Sequence, residues 1–119
     1  MIRPITNCLL ILLVSLAPVV TSGSDSSSQH FNIVAKRFSF EPGEITVADH
    51  RKAVLELTSD DVTHGLKCKE LDFNTVIHKG RTVELTFTPQ HAGRFVARCS
   101  HFCGMGHGSM TLVITVVDE

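Results

Sequence analysis

No excess of basic residues marks this chain of 119 residues: Lys and Arg number 11 against 12 Asp and Glu, a formal net charge of −1. That balance argues against nucleic acid as a partner, which would require a basic face. Long apolar runs are also missing. The run CLLILLVSLAPVV, Cys8 to Val20, holds 13 residues and is interrupted by Ser15 and Pro18, short of the roughly 20 that a bilayer-spanning helix needs. With Arg3 before it and small polar residues after it, the run reads as the apolar part of an export signal. It predicts a leader over residues 1–22 and a periplasmic or otherwise extracytoplasmic product, soluble or loosely membrane-associated. No Leu-Ala-Gly-Cys lipobox follows, and Cys8 lies too early to become a lipidated first residue. Beyond the leader only Cys68, Cys99 and Cys103 remain. An odd count leaves at least one thiol over and fits a disulfide framework poorly; metal ligation is the competing use.

Helical periodicity and internal repeats are absent as well. GSDSSSQ, residues 23–29, is polar and low in complexity, and reads with residue 30 as a flexible lead. From residue 31 to 119 short segments rich in β-branched and aromatic residues follow one another. They are FNIVA (31–35), RFSF (37–40), EITV (44–47), AVLELT (53–58), GLKC (65–68), RTVELTFT (81–88), GRFVARC (93–99) and MTLVITVV (110–117). Most alternate at period two, and Pro42-Gly43, Lys79-Gly80 and Ala92-Gly93 punctuate them, as strands and turns require. Seven or eight short strands in roughly 90 residues predict an all-β, Greek-key β-sandwich with antiparallel pairing.

The soft ligands are concentrated in CSHFCGMGHGSM, Cys99 to Met110, between two of these strands. In GRFVARC, Phe95, Ala97 and Cys99 share one face and Arg94 and Arg98 the other, so Cys99 leaves its strand pointing inward. Gly104, Gly106 and Gly108 are expected to permit the tight turns that bring the loop back. Thiolate and thioether are soft ligands and imidazole is borderline, a set that selects copper over magnesium, calcium or manganese. A zinc site built from Cys99, Cys103, His107 and His64 is the competing metal reading, and it leaves Met110 without a role. A disulfide between Cys99 and Cys103 would explain neither the histidines nor Met110. No nucleophile with a base and an orienting group is legible, so the chain does not read as an enzyme in its own right.

The loop resembles that of the Cu-A domain, the cupredoxin domain of cytochrome c oxidase subunit II and nitrous oxide reductase. The family pattern is C-S-x-x-C-x-x-x-H-x-x-M, with an earlier histidine in a D-V-x-H context that DVTHGL supplies here through Asp61, Val62 and His64. TPQHAGRFVARC is similar to the strand that leads to the metal cysteine, through Pro89, Gly93, Phe95 and Cys99. The resemblance runs from Phe31 to Val117. It implies a cupredoxin-like fold and two copper ions bridged by Cys99 and Cys103. His64 and His107 would bind one copper each, Met110 would be a weak thioether ligand, and the His101 backbone carbonyl would complete the set. One-electron transfer follows, with a redox protein such as a c-type cytochrome and a terminal acceptor as partners, and with the chain a monomer. A periplasmic copper carrier or delivery protein is the alternative. Trp and Tyr are both absent, so the aromatic run at which electrons enter subunit II is represented only by Phe38 and Phe40. His101 stands where the oxidase usually has a glutamate. Both departures point to a free-standing domain.

Outside the loop, Cys68 shares a face with Leu66 and reads as a core residue. His30, His50, His78 and His91 are expected at solvent-facing turns. Met105 and Phe102 are expected to form a small apolar docking surface, with Asp60 and Asp61 as an acidic rim favouring a positively charged donor.

Overall fold

The computed structural model describes residues 14–18 and 27–119. The leader over 1–22 and the polar lead over 23–30 therefore lie largely outside the described residues. Period-two alternation is realised as nine strands: β1 Gln29–Lys36, β2 Ser39–Glu41, β3 Glu44–Ala48, β4 Ala53–Ser59, β5 His64–Cys68, β6 Phe73–Ile77, β7 Val83–Phe87, β8 Gly93–Arg98 and β9 Thr111–Val117. One sheet has the order β2-β1-β4-β7 and the other β3-β9-β8-β5-β6. The inward residues of both sheets make one core, in which Ile33, Leu55, Leu57, Leu66, Leu112 and Ile114 are at most 1% exposed. Burying each such side chain stabilises the sandwich by about 1.5–3 kcal/mol. Among the described residues no helix is long and apolar enough to cross a membrane.

Four features depart from the sequence expectations. Pairing is mixed: β1 runs parallel to β4 with Ile33 opposite Leu57, and β3 runs parallel to β9 with Ile45 opposite Ile114. The chain passes from one sheet to the other between β2 and β3 and back between β3 and β4, so these parallel partners are not consecutive strands, and local patterns do not set their mutual direction. A strand that the periodicity did not single out, β6, forms the edge next to β5, with Phe73 and Ile77 buried and Asn74 and Val76 outward. Arg37 and Phe38 are not in a strand but form the turn between β1 and β2. Finally, Gln29, expected in the flexible lead, already belongs to β1 opposite Ala53 of β4, and its side-chain amide donates to Ala48 O at 3.1 Å and accepts from Ala48 N at 2.7 Å.

Cys68 is 2% exposed and packed in the core between the sheets, in line with its reading as a small hydrophobe. Burial pushes its thiol pKa up. His50, His78 and His91 are exposed outside strands, whereas His30, also exposed, lies within β1.

Candidate metal centre

Two stretches converge at one end of the sandwich. The first is the start of β5, whose alternation turns His64, Leu66 and Cys68 inward. The second is the loop between β8 and β9. Its base is closed by Cys99 N donating to Met110 O at 3.1 Å, so both chain ends of the loop are tied to the sheet. Within it Gly104 adopts φ +142°, and His107 to Ser109 form one 3-10 turn. The other two glycines do not serve as left-handed positions. Gly106 provides room: a Cβ there would come within 2.5 Å of the Phe38 ring, and one at Gly104 within 2.9 Å of it. At Gly108 a Cβ would meet nothing within 4 Å.

The side chains expected to act together are brought together. Cys99, Cys103 and His64 have ligand atoms within 4.8 Å of one another. The two cysteines are free thiols, with their sulfurs 3.9 Å apart. Cys103 Sγ lies 3.8 Å from His107 Nδ1 and 3.9 Å from Met110 Sδ. On the other side Cys99 Sγ is 3.2 Å from the His101 carbonyl oxygen, whereas the exposed His101 imidazole turns to Phe102 O at 3.1 Å and takes no part in the cluster. His64 and Met110 are fully buried, Cys99 and Cys103 nearly so. His107 is half-buried, with its ring 5.9 Å from that of Phe102. Burial and the neighbouring Cys99 push the Cys103 thiol up to about 11, so a metal that takes its thiolate must displace a proton.

Asp61 sets the orientation of His64. Burial works against its charge, but the Arg37 N–H at 2.7 Å and the His64 ring at 2.7 Å hold its carboxyl down to about 2. An ionised carboxylate only accepts, so His64 Nε2 donates to it and Nδ1 is the ring nitrogen left to face the sulfurs. That Nδ1 is buried and has no hydrogen-bond partner, a deficit of about 1–3 kcal/mol that a bound metal would remove. The orphaned nitrogen, two thiols and a buried thioether together fit a soft metal ion.

The acidic rim expected from Asp60 and Asp61 is not present as such. Asp61 Oδ1 accepts from His64 and from Val62 N, and Oδ2 accepts from Arg37 N. Its charge is thus spent inside the site, and only Asp60 is exposed. Two other contributors were not legible in the sequence. Arg37 Nε donates to Cys103 O at 2.9 Å, so one residue ties the loop to the turn carrying Asp61. Gly65 lies under the loop, where a Cβ would overlap Ser100 Oγ and come within 3.0 Å of His101 N. A glycine immediately after the buried histidine was the available signal for that close approach.

Comparisons with known proteins agree with this architecture. A family model for the cupredoxin-like domain matches residues 9–114. Cytochrome c oxidase subunit 2 of Thermus thermophilus is 29% identical over 86 residues, 72% of this chain and 64% of that protein. Its counterpart from Cereibacter sphaeroides is 28% identical over 75 residues, 63% of this chain and 25% of that protein. The chain thus spans less than two thirds of the length of these relatives. Among solved structures, the periplasmic domain of subunit II of cytochrome oxidase of Bradyrhizobium japonicum superposes with a TM-score of 0.70 at 20% identity, over 76% of this chain and 85% of that one. Auracyanin A, a blue copper protein of Chloroflexus aurantiacus, does so at 0.61 and 14%, over 76% of this chain and all of its own. With a family model that covers residues 9–114, most of the chain, and a fold that superposes on these structures, the protein belongs to the cupredoxin-like domain family.

Proposed function

We propose that this chain is an extracytoplasmic one-electron carrier holding two copper ions in a Cu-A-like centre. The proposed ligands are the thiolates of Cys99 and Cys103 as bridges, the imidazoles of His64 and His107, the thioether of Met110 and the carbonyl of His101. The observation that carries the reading is the pair of buried, unbonded sulfurs flanked by separate donors. His107 and Met110 lie beside Cys103, and the His101 carbonyl lies beside Cys99. A four-coordinate zinc site uses two sulfurs and two imidazoles and gives Met110 no place, yet its sulfur is buried against Cys103.

Copper held by these residues would supply one-electron redox chemistry. The protein's part is to keep the donors from moving. Asp61 fixes the His64 ring, Arg37 anchors the Cys103 carbonyl, the Cys99–Met110 backbone bond closes the loop, and the sandwich excludes water from both sulfurs. Ligands buried to this degree disfavour the alternative of a carrier that hands its metal on. Donor and acceptor are proposed to be a c-type cytochrome or similar redox protein and a terminal acceptor.

The test is reconstitution of the reduced protein with copper. Two coppers per chain are expected, with an electron spin resonance signal from one unpaired electron shared by two nuclei. A single copper with an isolated-nucleus signal would remove the binuclear reading, and copper lost to an acceptor protein during redox cycling would favour the carrier.

Two substitutions probe the ligand assignment. Met110→Leu conserves volume and is expected to cost less than about 1.5 kcal/mol. Both coppers should stay while the reduction potential rises, since loss of a weak donor disfavours the more highly charged state; voltammetry reads the shift. Cys68→Ser places a hydroxyl in the core at a cost of about 1–3 kcal/mol. Urea unfolding should report that loss while copper content and colour remain unchanged.

A further inference from the structure

The outer face of the β3-β9-β8-β5-β6 sheet carries positive charge that the metal centre does not use. Lys67 on β5 and Arg98 on β8 are register partners on adjacent strands, both exposed. Like charges placed opposite each other oppose the pairing. Arg94 lies on the same face of β8, and Lys69 follows β5; both are exposed. Among the described residues, none of these four cations forms an ion pair. Of the carboxylates on this side, Glu70 accepts from the Cys68 thiol at 3.5 Å and Glu44 from the Thr115 hydroxyl at 3.1 Å, and neither is ion-paired with these cations.

Strands β5 and β8 share only this one register pair. Beside it the surface opens into a concavity lined by three cations, Lys67, Lys69 and Arg98, by one carboxylate, Glu70, and by Val96, Cys99 and Ser100. A molecule seated there touches the residue that carries one of the two buried sulfurs. The opposite sign is weak at the loop end, where Asp61 is held by Arg37 and His64.

We propose that this concave basic face is the docking surface for a redox protein with an acidic surface, seated over Cys99. The proposal rests on the electron-transfer reading above and gives its partner a charge. Cations clustered within a Debye length raise the encounter rate of an acidic protein and orient it, in a salt-dependent way. The unrelieved Lys67–Arg98 opposition is what an acidic partner would neutralise on docking.

The test uses the copper-free protein, so that its outcome does not depend on what metal the site holds. An acidic c-type cytochrome is titrated into the isotope-labelled chain, with a basic c-type cytochrome as control. Amide shifts are expected at Lys67, Lys69, Val96, Arg98 and Ser100, with the acidic protein only, and fading as salt approaches about 0.5 M. Lys67→Glu combined with Arg98→Glu should weaken binding at least about tenfold at low salt. The milder Lys67→Gln with Arg98→Gln should weaken it less, and it serves if the reversed pair does not fold. Unchanged affinity in these variants, shifts confined to Phe102 and Met105, or shifts at the basic face with inorganic phosphate but not with the cytochrome would each overturn the proposal. Failure to bind two coppers would overturn the electron-transfer reading and leave this titration to decide the surface by itself.

Discussion

Cys103→Ser is expected to reduce the copper content from two per chain to one or none. Cys103 Sγ is the hub of the cluster, within 3.9 Å of Cys99 Sγ, His107 Nδ1 and Met110 Sδ alike. A hydroxyl in its place is far harder to deprotonate than a thiol and is a hard, poor donor to copper. Whatever metal remains would hold one sulfur only, so the spin should localise on a single nucleus. Elemental analysis and electron spin resonance of the reconstituted variant check both points. Retention of two coppers with a shared spin would show that Cys103 is not a bridge. The fold should survive, because the exchange changes the volume little.

Gly65→Val should have the largest effect on the apoprotein. The Cβ alone would overlap Ser100 Oγ, come within 3.0 Å of His101 N and lie 3.2 Å from Thr75 O. A serine hydroxyl can swing away, but two of these contacts are backbone, and a β-branched side chain has few rotamers with which to escape them. A destabilisation of about 3 kcal/mol or more is expected, with the loop pushed off β5 and His64 separated from the sulfurs. Denaturant unfolding measures the first effect. Copper retention under a competing chelator measures the second. A variant as stable and as retentive as the parent would show that the loop does not need this close approach.

The readable parts of this molecule are those set by local sequence. Period-two alternation marks the strands because side-chain direction in a strand depends only on position parity. It marks β8 and β9 well, since Ala97, Leu112, Ile114 and Val116 are all buried. It missed β6, where Val76 faces outward and is 43% exposed and Asn74 interrupts the apolar run. Parallel pairing of β1 with β4 and of β3 with β9 depends on where the chain crosses between sheets, which no short window encodes. The donor set was legible because five of its six members lie in one loop and the sixth, His64, stands in a short motif beside Asp61. The supports were not. Arg37, Phe38 and Gly65 matter through contacts with residues far along the chain, and each resembles an ordinary turn or surface residue. Asp61 was visible but misplaced, since an aspartate at a turn looks solvated until its two oxygens are seen to be occupied.

The pairing of β3 with β9, which puts Glu44 opposite Val113 and Ala48 opposite Val117, joins the third strand of the domain to its last. Contacts of such long sequence separation close slowly, because loop entropy is lost before any contact is gained. His64 and the loop meet only when β5 and β8 come together, so the metal pocket does not exist before that contact is made. Until then Cys68, Cys99 and Cys103 are all open to oxidants, and three different bridges are available to them. Only one of the three, Cys99 to Cys103, joins sulfurs that the folded molecule already holds side by side. The other two would lock Cys68 to the loop and pull it out of its core position. Under oxidising conditions the hazard would therefore lie in the time before folding, and Cys68 is the reason.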